Sequence, residues 1–279
     1  MYHYWPKWVW GVIGKAPIKM PNLITFGVYI IGDEILSGKR EDKHLAQAIQ
    51  ILKARGLSLS WAEYIGDDSA QLKASFKRSL ATDTVVFSFG GIGATPDDFT
   101  RQAAAEALAV PIERHKEAVA EIEAQFGDGA YPKRVLMADF PKGAAMIPNP
   151  FNRVAGFAIG VMPQKTTHYF LPGFPAMAWP MMEWVLDTHY SHVFHQETII
   201  ESAILVRDAG ESQLIDLMNE IVCNHPEIKL FSLPRLSGDR QNLTKAIELG
   251  VKGKTDAVAK AMIEVKAGVT KAGFPWSEI

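Results

Sequence analysis

The residues best suited to chemistry lie in a glycine-rich segment, GGIGATPDDFT, at residues 90–100. Gly90, Gly91 and Gly93 allow positive φ angles and let a ligand approach the backbone closely. The segment follows an apolar run and precedes a helical pattern, so its N–H groups and the helix dipole would suit a phosphate. An ordinary strand-to-helix turn, with Thr95 or Thr100 at the helix N-terminus, is the alternative.

Charged residues complete this segment. Asp97 and Asp98 carry the oxygen ligands that Mg²⁺ prefers, and a phosphate can share the same ion. Acidic residues in a first helical turn are also favoured by the helix dipole alone. Arg101 is predicted either to contact a phosphate through two N–H groups or to form a surface ion pair. The glycine spacing excludes a dinucleotide fingerprint, and the lack of a following Gly-Lys-Ser/Thr excludes a Walker A loop.

A second acidic segment, GDEILSG, occupies residues 32–38. Asp33 and Glu34 directly follow the apolar run 25–31, which reads as a strand. Open parallel sheets bind ligands at the carboxyl ends of their strands. We therefore expect residues 32–38 and 90–98 to share one edge of a sheet and to form a site for a divalent metal and a phosphate. A solvated loop is the alternative.

A third acidic segment, IGDD, occupies residues 65–68 and follows another strand-like run. It would reach the same edge of the sheet. Asp67 and Asp68 are nevertheless predicted to form a solvated turn that leads into the next helix, so this segment contributes least to the predicted site.

The elements that would position these segments alternate along the chain. Strand patterns at 25–31, 58–65 and 84–89 alternate with helical patterns at 43–54, 69–80 and 100–109. Nearly continuous apolar strands in repeated β-α-β units indicate a parallel sheet covered on both faces. We predict an α/β fold, a three-layer α/β/α domain with a mostly parallel sheet, over residues 21–195.

The pattern changes from about residue 196 to a β-α-β-β-α string. Strands are predicted at 197–207, 228–234 and 242–249, and helices at 209–225 and 255–268. This string indicates a small α+β domain over residues 196–279. Because so short a domain has a thin core, we expect a homodimer. Residues 1–20 are predicted to be a loose leader.

Composition excludes several classes of protein. With 29 Lys and Arg against 31 Asp and Glu, the net charge is -2, so no bulk positive field attracts nucleic acid or an anionic membrane. No window of eighteen consecutive apolar residues suggests a transmembrane helix. Cys223 is the single cysteine, which excludes an internal disulfide and a Cys-based zinc site and favours a cytoplasmic location. Its helical pattern predicts a buried thiol.

Together, the three segments at 32–38, 66–68 and 90–100 resemble motifs of the molybdopterin-binding domain family, and more narrowly of its CinA branch. The later segments Asn149-Pro150 and LPGFP at 171–175 resemble further motifs of that branch. The turn at 209–212 resembles that of the KH-like domain which follows in it. The resemblance covers about residues 21–268, and the amidase domain of full-length CinA has no counterpart in this sequence.

The resemblance implies a domain that holds a pterin or a nucleotide phosphate over the glycine loop. Relatives in the CinA branch hydrolyse the pyrophosphate of ADP-ribose with a divalent metal. We therefore expect a nucleotide pyrophosphatase that uses Mg²⁺, Co²⁺ or Mn²⁺ and acts on ADP-ribose or FAD. A pterin-binding module without turnover and a non-enzymatic assembly protein are the alternatives. No organic cofactor is indicated.

The resemblance and the chemistry of the residues together assign roles to residues. Those expected to be catalytic are Glu34, Asp97 and Asp98, the last two as metal ligands. Those expected to bind phosphate or ligand are Gly32, Asp33, Gly90, Gly91, Gly93, Thr95 and Arg101. Two positions depart from the family: His44 ends a run that is usually Asp-Thr-Asn, and Met177 replaces a Glu. Both changes remove polar groups expected near the ligand and leave the exact substrate open.

Overall fold

The computed structural model describes residues 24–160, 168–196, 199–237 and 244–279. These residues form two compact units. The first unit comprises the described residues up to Glu41 together with Ser60–Met177, and the second comprises Asp42–Leu59 together with the described residues from Ala178 to Ile279. The leader predicted for residues 1–20 lies outside the described residues. The domain division predicted at residue 196 and the homodimer stay predictions.

Most elements lie within a few residues of the bounds that the sequence patterns predict. The strands are β1 (Thr25–Ile31), β2 (Leu59–Ile65), β3 (Thr84–Phe89), β4 (Ile112–Arg114), β5 (Asp139–Pro141), β6 (Ala145–Ile147), β7 (Gly156–Ile159), β8 (His168–Leu171), β9 (Ile199–Arg207), β10 (Lys229–Ser237), β11 (Thr244–Lys254) and β12 (Trp276–Glu278). The helices are α1 (Asp33–Leu36), α2 (His44–Ala54), α3 (Ser69–Leu80), α4 (Thr100–Leu108), α5 (Lys116–Phe126), α6 (Pro175–His189), α7 (Glu211–Asn224) and α8 (Thr255–Lys271).

The first unit is built on a sheet with the strand order β2-β1-β3-β8-β7-β6. β3 runs parallel to both β1 and β8, whereas β7 runs antiparallel to β8 and β6. The α/β class is confirmed, and the sheet is mixed. The short connection between Ile159 and His168 explains the antiparallel pair, because parallel neighbours need a crossover of about a dozen residues or more.

The central strands are apolar because they are buried. Every residue of β3 is buried, and so is every residue of β1 after Thr25. One face of the sheet packs against α3, α4 and α5 through a cluster that includes Tyr29, Phe76 and Phe170. The rings of Phe157 and Phe170 stack with centroids 4.5 Å apart. This packing fixes the parallel strands β1, β3 and β8, so their carboxyl ends lie at one edge of the sheet.

The second unit contains an antiparallel sheet with the order β10-β11-β9-β12. Residues of β9 and β11 form a core with α7 and α8, in which Ile204, Leu249 and Val265 are buried. β11 extends further than predicted, and β12 was not predicted. The KH-like identity suggested for this region stays a prediction.

The buried thiol predicted at Cys223 is wrong, because the side chain is exposed. α7 buries Leu214 and Ile221. Cys223 lies two residues beyond Ile221, a rotation of roughly 200° around the helix, which places it on the opposite face. In the described part of the chain, no helix is both long enough and apolar enough to cross a membrane.

Candidate functional site

A cavity of about 650 Å³ opens in the first unit, where β1, β3 and β8 end. It is lined by residues of the second acidic segment (32–38), of the third acidic segment (65–68) and of the glycine-rich segment. Of the predicted site residues, those that line it are Gly32, Glu34, Gly90, Gly91, Gly93, Thr95, Asp97 and Asp98. Asp33 and Arg101 are not among its lining residues. The structure thus brings two of the predicted segments together around one space.

The glycine loop, residues 90–98, begins at a position that only glycine can occupy. Gly90 has a φ of +108°, and a Cβ atom there would lie 2.4 Å from the carbonyl oxygen of Ile31. Its N–H donates to the carbonyl oxygen of Leu171 at 3.0 Å. Gly90 therefore fits between the ends of β1 and β8, and this contact fixes where the loop starts.

Helix α4 holds the loop through Thr100 and Arg101, which are not among the residues that line the cavity. The hydroxyl of Thr100 donates to the carbonyl oxygen of Gly90 at 3.1 Å, and its N–H donates to that of Gly91, also at 3.1 Å. The guanidinium of Arg101 is buried and donates to the carbonyl oxygens of Gly93 and Leu136. The sequence predicted a phosphate contact or a surface ion pair for Arg101, and the structure instead gives it a bracing position beneath the loop.

The two aspartates of the loop have different environments. Asp98 folds back on the loop, where its Oδ2 accepts the N–H of Thr95 at 2.8 Å and also the hydroxyl of Thr95. The same oxygen lies 2.5 Å from the place of a Cβ on Gly93, so a larger residue at 93 would displace it. Asp97 is exposed and lines the cavity. A hydrogen bond with the Thr95 side chain also lowers the pKa of Asp97. Asp98 therefore shapes the loop, and both aspartates interact with Thr95.

We define the acidic edge as Asp33, Glu34 and Asp67, which follow the carboxyl ends of β1 and β2. The N–H of Asp33 donates to Oδ2 of Asp67 at 2.9 Å, and the N–H of Asp67 donates to Oδ1 of Asp33 at 3.1 Å. This reciprocal pair joins the second acidic segment to the third. Part of the second acidic segment forms the single helical turn α1. Glu34 and Asp67 line the cavity, while Asp68 accepts the N–H of Gln71 at 2.8 Å and caps α3.

Negative charge accumulates at this edge. Burial raises the pKa of Asp67, as do the neighbouring charges of Asp33, Glu34 and Asp97, although the hydrogen bond from the Asp33 N–H opposes the change. Within the described residues, no group of three or more His, Cys, Asp or Glu side chains is placed to hold a metal ion. A metal bound by Asp97 and Asp98 therefore stays a prediction.

Sequence reasoning missed polar residues of the cavity. Arg40 is the only cationic residue among those that line it in the described structure, and its N–H donates to the carbonyl oxygen of Glu34 at 3.0 Å. Asn152 also lines the cavity, with its Oδ1 accepting from Nδ2 of Asn149 at 2.8 Å. Asp67 was assigned to a solvated turn. Only the position of Asp67 after a strand could have signalled its role.

Apolar residues also line the cavity, and five of them are referred to as the apolar wall. It is formed by Phe126, Met137, Val154, Phe174 and Met177. Met177, one of the two departures from the family pattern, therefore does border the candidate ligand space. His44 is buried in the second unit, with its ring centroid 6.5 Å from that of Trp179.

The sequence is similar to those of known proteins. The sequence matches the family model of the probable molybdopterin binding domain over residues 27–192. It is 30% identical over 224 residues to a CinA-like protein of Shewanella woodyi, covering 75% of this chain and 52% of the relative. It is 26% identical over 247 residues to a putative competence-damage inducible protein of Lacticaseibacillus paracasei, covering 86% of this chain and 57% of the relative.

A solved structure is also similar. The protein CinA of Thermoplasma acidophilum, described with unknown function, superposes with a TM-score of 0.53 at 25% identity, covering 59% of this chain and 98% of that chain. The present chain spans only 32% to 57% of the length of the bacterial CinA-like and competence-damage inducible relatives it matches. Because the family model covers more than half of the sequence, the chain belongs to the family of probable molybdopterin binding domains.

Proposed function

We propose that the cavity binds a phosphorylated heterocycle, a pterin or a nucleotide, with a phosphate on the glycine loop. The observation that carries this proposal is the state of the loop amides. In the described structure, the N–H groups of Gly91, Ile92, Gly93 and Ala94 donate to no acceptor, and all four residues line the cavity. Adjacent free amides at the end of a strand are a common way to bind a phosphate.

The remainder of the cavity suits the rest of such a ligand. Its volume of about 650 Å³ is within the usual range for small-molecule sites. The apolar wall offers a surface for a planar ring. Arg40 has no carboxylate within ion-pair distance among the described residues, so its charge is available for a second phosphate.

Hydrolysis of a nucleotide pyrophosphate is the second candidate function, and the acidic edge favours it. Mg²⁺ is usually held by one or two carboxylates together with substrate phosphates and water, so three converging side chains are not required. Glu34 and Asp97 line the cavity and supply suitable oxygens. The pKa of Asp67 is raised first by burial and then by neighbouring carboxylates, whose negative charge a cation would balance. We infer that a divalent metal would arrive with the diphosphate.

The residues would then divide the work. A bound divalent metal would neutralise charge that develops on the diphosphate and would lower the pKa of a coordinated water. Glu34 would accept a proton from an attacking water, and Asp97 would be a ligand of the metal. The loop amides would stabilise charge on the phosphate oxygens. A pterin-binding protein without turnover would use the amides and the apolar wall alone.

Binding and turnover can be tested separately. Calorimetry with ADP-ribose and FAD, in EDTA and then in Mg²⁺, Mn²⁺ or Co²⁺, measures affinity. Chromatography of the same mixtures detects AMP. Binding with metal-dependent AMP release supports the pyrophosphatase, and binding without release supports the binding module. A protein that binds neither these ligands nor a pterin phosphate would overturn the proposal.

A matched pair of variants locates the ligand. Arg40→Gln should weaken ADP-ribose binding about tenfold, because it removes a charge-assisted contact to a phosphate. Lys39→Gln removes the same charge from the neighbouring residue, which does not line the cavity, and should change the affinity by less than about twofold. Equal losses in the two variants would point to a nonspecific effect of net charge.

A further inference from the structure

Arg101 is an unusual residue to find buried beneath a loop. Only 4% of its surface is exposed. Its guanidinium donates to the carbonyl oxygens of Gly93 and Leu136, and its buried Nε has no hydrogen-bond partner among the described residues. Among the described residues, no carboxylate lies within ion-pair distance of the Arg101 guanidinium. A full positive charge therefore lies behind the glycine loop with only neutral partners in contact.

The contacts from α4 also determine which way the loop amides point. In a trans peptide, the C=O and the following N–H point in opposite directions. Thr100 holds the carbonyl oxygens of Gly90 and Gly91, and Arg101 holds that of Gly93. The N–H groups of the next residues in each case, Gly91, Ile92 and Ala94, must therefore point away from α4. Those three residues line the cavity.

Burial makes the charge of Arg101 costly. Desolvation lowers its pKa, and the more distant charges of Asp139 and Asp98 only partly offset this. Asp139 is already engaged, because both of its oxygens accept from Arg114, at 2.5 and 3.1 Å. Asp98 accepts from Thr95. A buried charge without a close partner is destabilising, and an anion on the cavity side of the loop would provide the missing counter-charge.

We propose that Arg101 is a positioning residue that gives the glycine loop its affinity for an anion, by orienting the Ala94 amide and by placing positive charge behind the loop. This inference rests on the proposed function, since it assigns the phosphate of that ligand to the amides of Gly91, Ile92 and Ala94. Arg101 does not touch the anion. It acts through the peptide group between Gly93 and Ala94.

Titration with inorganic pyrophosphate tests the proposal. In the wild type, the backbone N–H resonances of Gly91, Ile92 and Ala94 should shift together in ¹H–¹⁵N spectra. Arg101→Met, which removes both the charge and the donors, should weaken pyrophosphate binding at least about tenfold and abolish the Ala94 response. Arg101→Lys keeps the charge and should recover most of the affinity. A residue that only stabilised the fold would lower the melting temperature and leave these responses unchanged.

Two further variants complete the test. Thr100→Val removes the hydroxyl that holds the Gly90 carbonyl but changes no charge, so it should weaken binding less than Arg101→Met. If Arg101→Met does not fold, Arg101→Gln, which keeps a donor and removes the charge, should show the tenfold loss. Wild-type binding with an unaffected Arg101→Met or Arg101→Gln variant would overturn this inference alone. A wild type whose loop amides do not respond to pyrophosphate would overturn it, whereas the proposed function would fail only if ADP-ribose, FAD and a pterin phosphate also do not bind.

Discussion

The glycine loop and the acidic edge border the same cavity but use their polar groups in opposite ways. The glycine loop lines the cavity with Gly91, Ile92, Gly93 and Ala94, whose N–H groups donate to no acceptor among the described residues, and it uses a carboxylate, Asp98, to hold its own backbone. The acidic edge directs carboxylates at the cavity, and the N–H groups of Asp33 and Asp67 are consumed within it. One side of the cavity therefore offers donors to an anion, while the other offers oxygens to a cation.

A common rule connects the two regions. Each of the three acidic pairs, 33–34, 67–68 and 97–98, contains at least one carboxylate that accepts a backbone N–H. Asp33 and Asp67 accept from each other's backbone, Asp68 accepts from Gln71, and Asp98 accepts from Thr95. Glu34, Asp67, Asp97 and Asp98 line the cavity. Carboxylates in these loops therefore both hold backbone and border the cavity.

The largest expected effect is on the glycine loop itself. Gly90→Ala should destabilise the protein by about 3 kcal/mol or more, since the new Cβ would meet the Ile31 carbonyl at 2.4 Å at a φ of +108°. Urea unfolding followed by circular dichroism measures this change. Gly38, in the first acidic segment, is the matched control: its φ is +71° but nothing lies within 4 Å of a Cβ there.

Gly38→Ala should cost only the left-handed backbone strain, roughly 1–2 kcal/mol. The difference between the two variants therefore measures how tightly the start of the glycine loop is held. Equal losses would mean that Gly90 is not pinned between β1 and β8, and the contrast between a rigid loop and a tolerant edge would fail.

Much of the fold follows from local patterns. The strand patterns at 25–31 and 84–89 coincide with β1 and β3, because fully buried strands have unbroken apolar sequences. The helical pattern at 69–80 coincides with α3, although Asp68 and not Ser69 is the residue that caps it. Short strands such as β4 and β5 were missed, since three residues are too few to show a period.

The site was harder to assign in detail. Its location could be predicted, because strand ends in a parallel arrangement bring their loops together. The hydrogen bonds of the acidic residues could not, since some of them join loops that are far apart in sequence, such as that between Asp33 and Asp67. Arg40 and the apolar wall likewise depend on tertiary contacts. The bracing position of Arg101 arises because α4 buries the residue, which no local pattern reveals.

The next largest effect distinguishes the two aspartates of the loop. Asp97→Asn should leave the melting temperature unchanged, because Asp97 is exposed, and should reduce the gain in ADP-ribose affinity that Mg²⁺ provides by about tenfold. Asp98→Asn should cost roughly 1 kcal/mol of stability through weaker acceptance from Thr95, with a smaller effect on the Mg²⁺ response.

Calorimetry with and without Mg²⁺, together with thermal unfolding of both variants, gives the comparison. The reverse result, with Asp98→Asn losing the metal response and Asp97→Asn losing stability, would exchange the roles of the two residues. It would also support Asp98 as one of the two expected metal ligands.

The smallest effect concerns the acidic edge and depends on pH. The pKa of Asp67 is raised in the folded protein, chiefly by burial and then by neighbouring carboxylates. The folded state therefore holds this proton more tightly than the unfolded state does. The resulting stabilisation is present at pH values below the ordinary pKa, and it is lost as the pH rises through the raised pKa of the folded state.

Asp67→Asn keeps an oxygen that can accept the Asp33 N–H but does not titrate. Its melting temperature relative to the wild type should therefore increase across this pH range and then level off. Adding Mg²⁺ at neutral pH should stabilise the wild type more than the variant, since only the wild type has the extra charge to balance. A difference that is flat with pH, measured by thermal unfolding from acidic to neutral buffer, would mean that Asp67 carries no unbalanced charge. The two sides of the cavity would then differ in hydrogen-bonding groups alone and not in electrostatic potential.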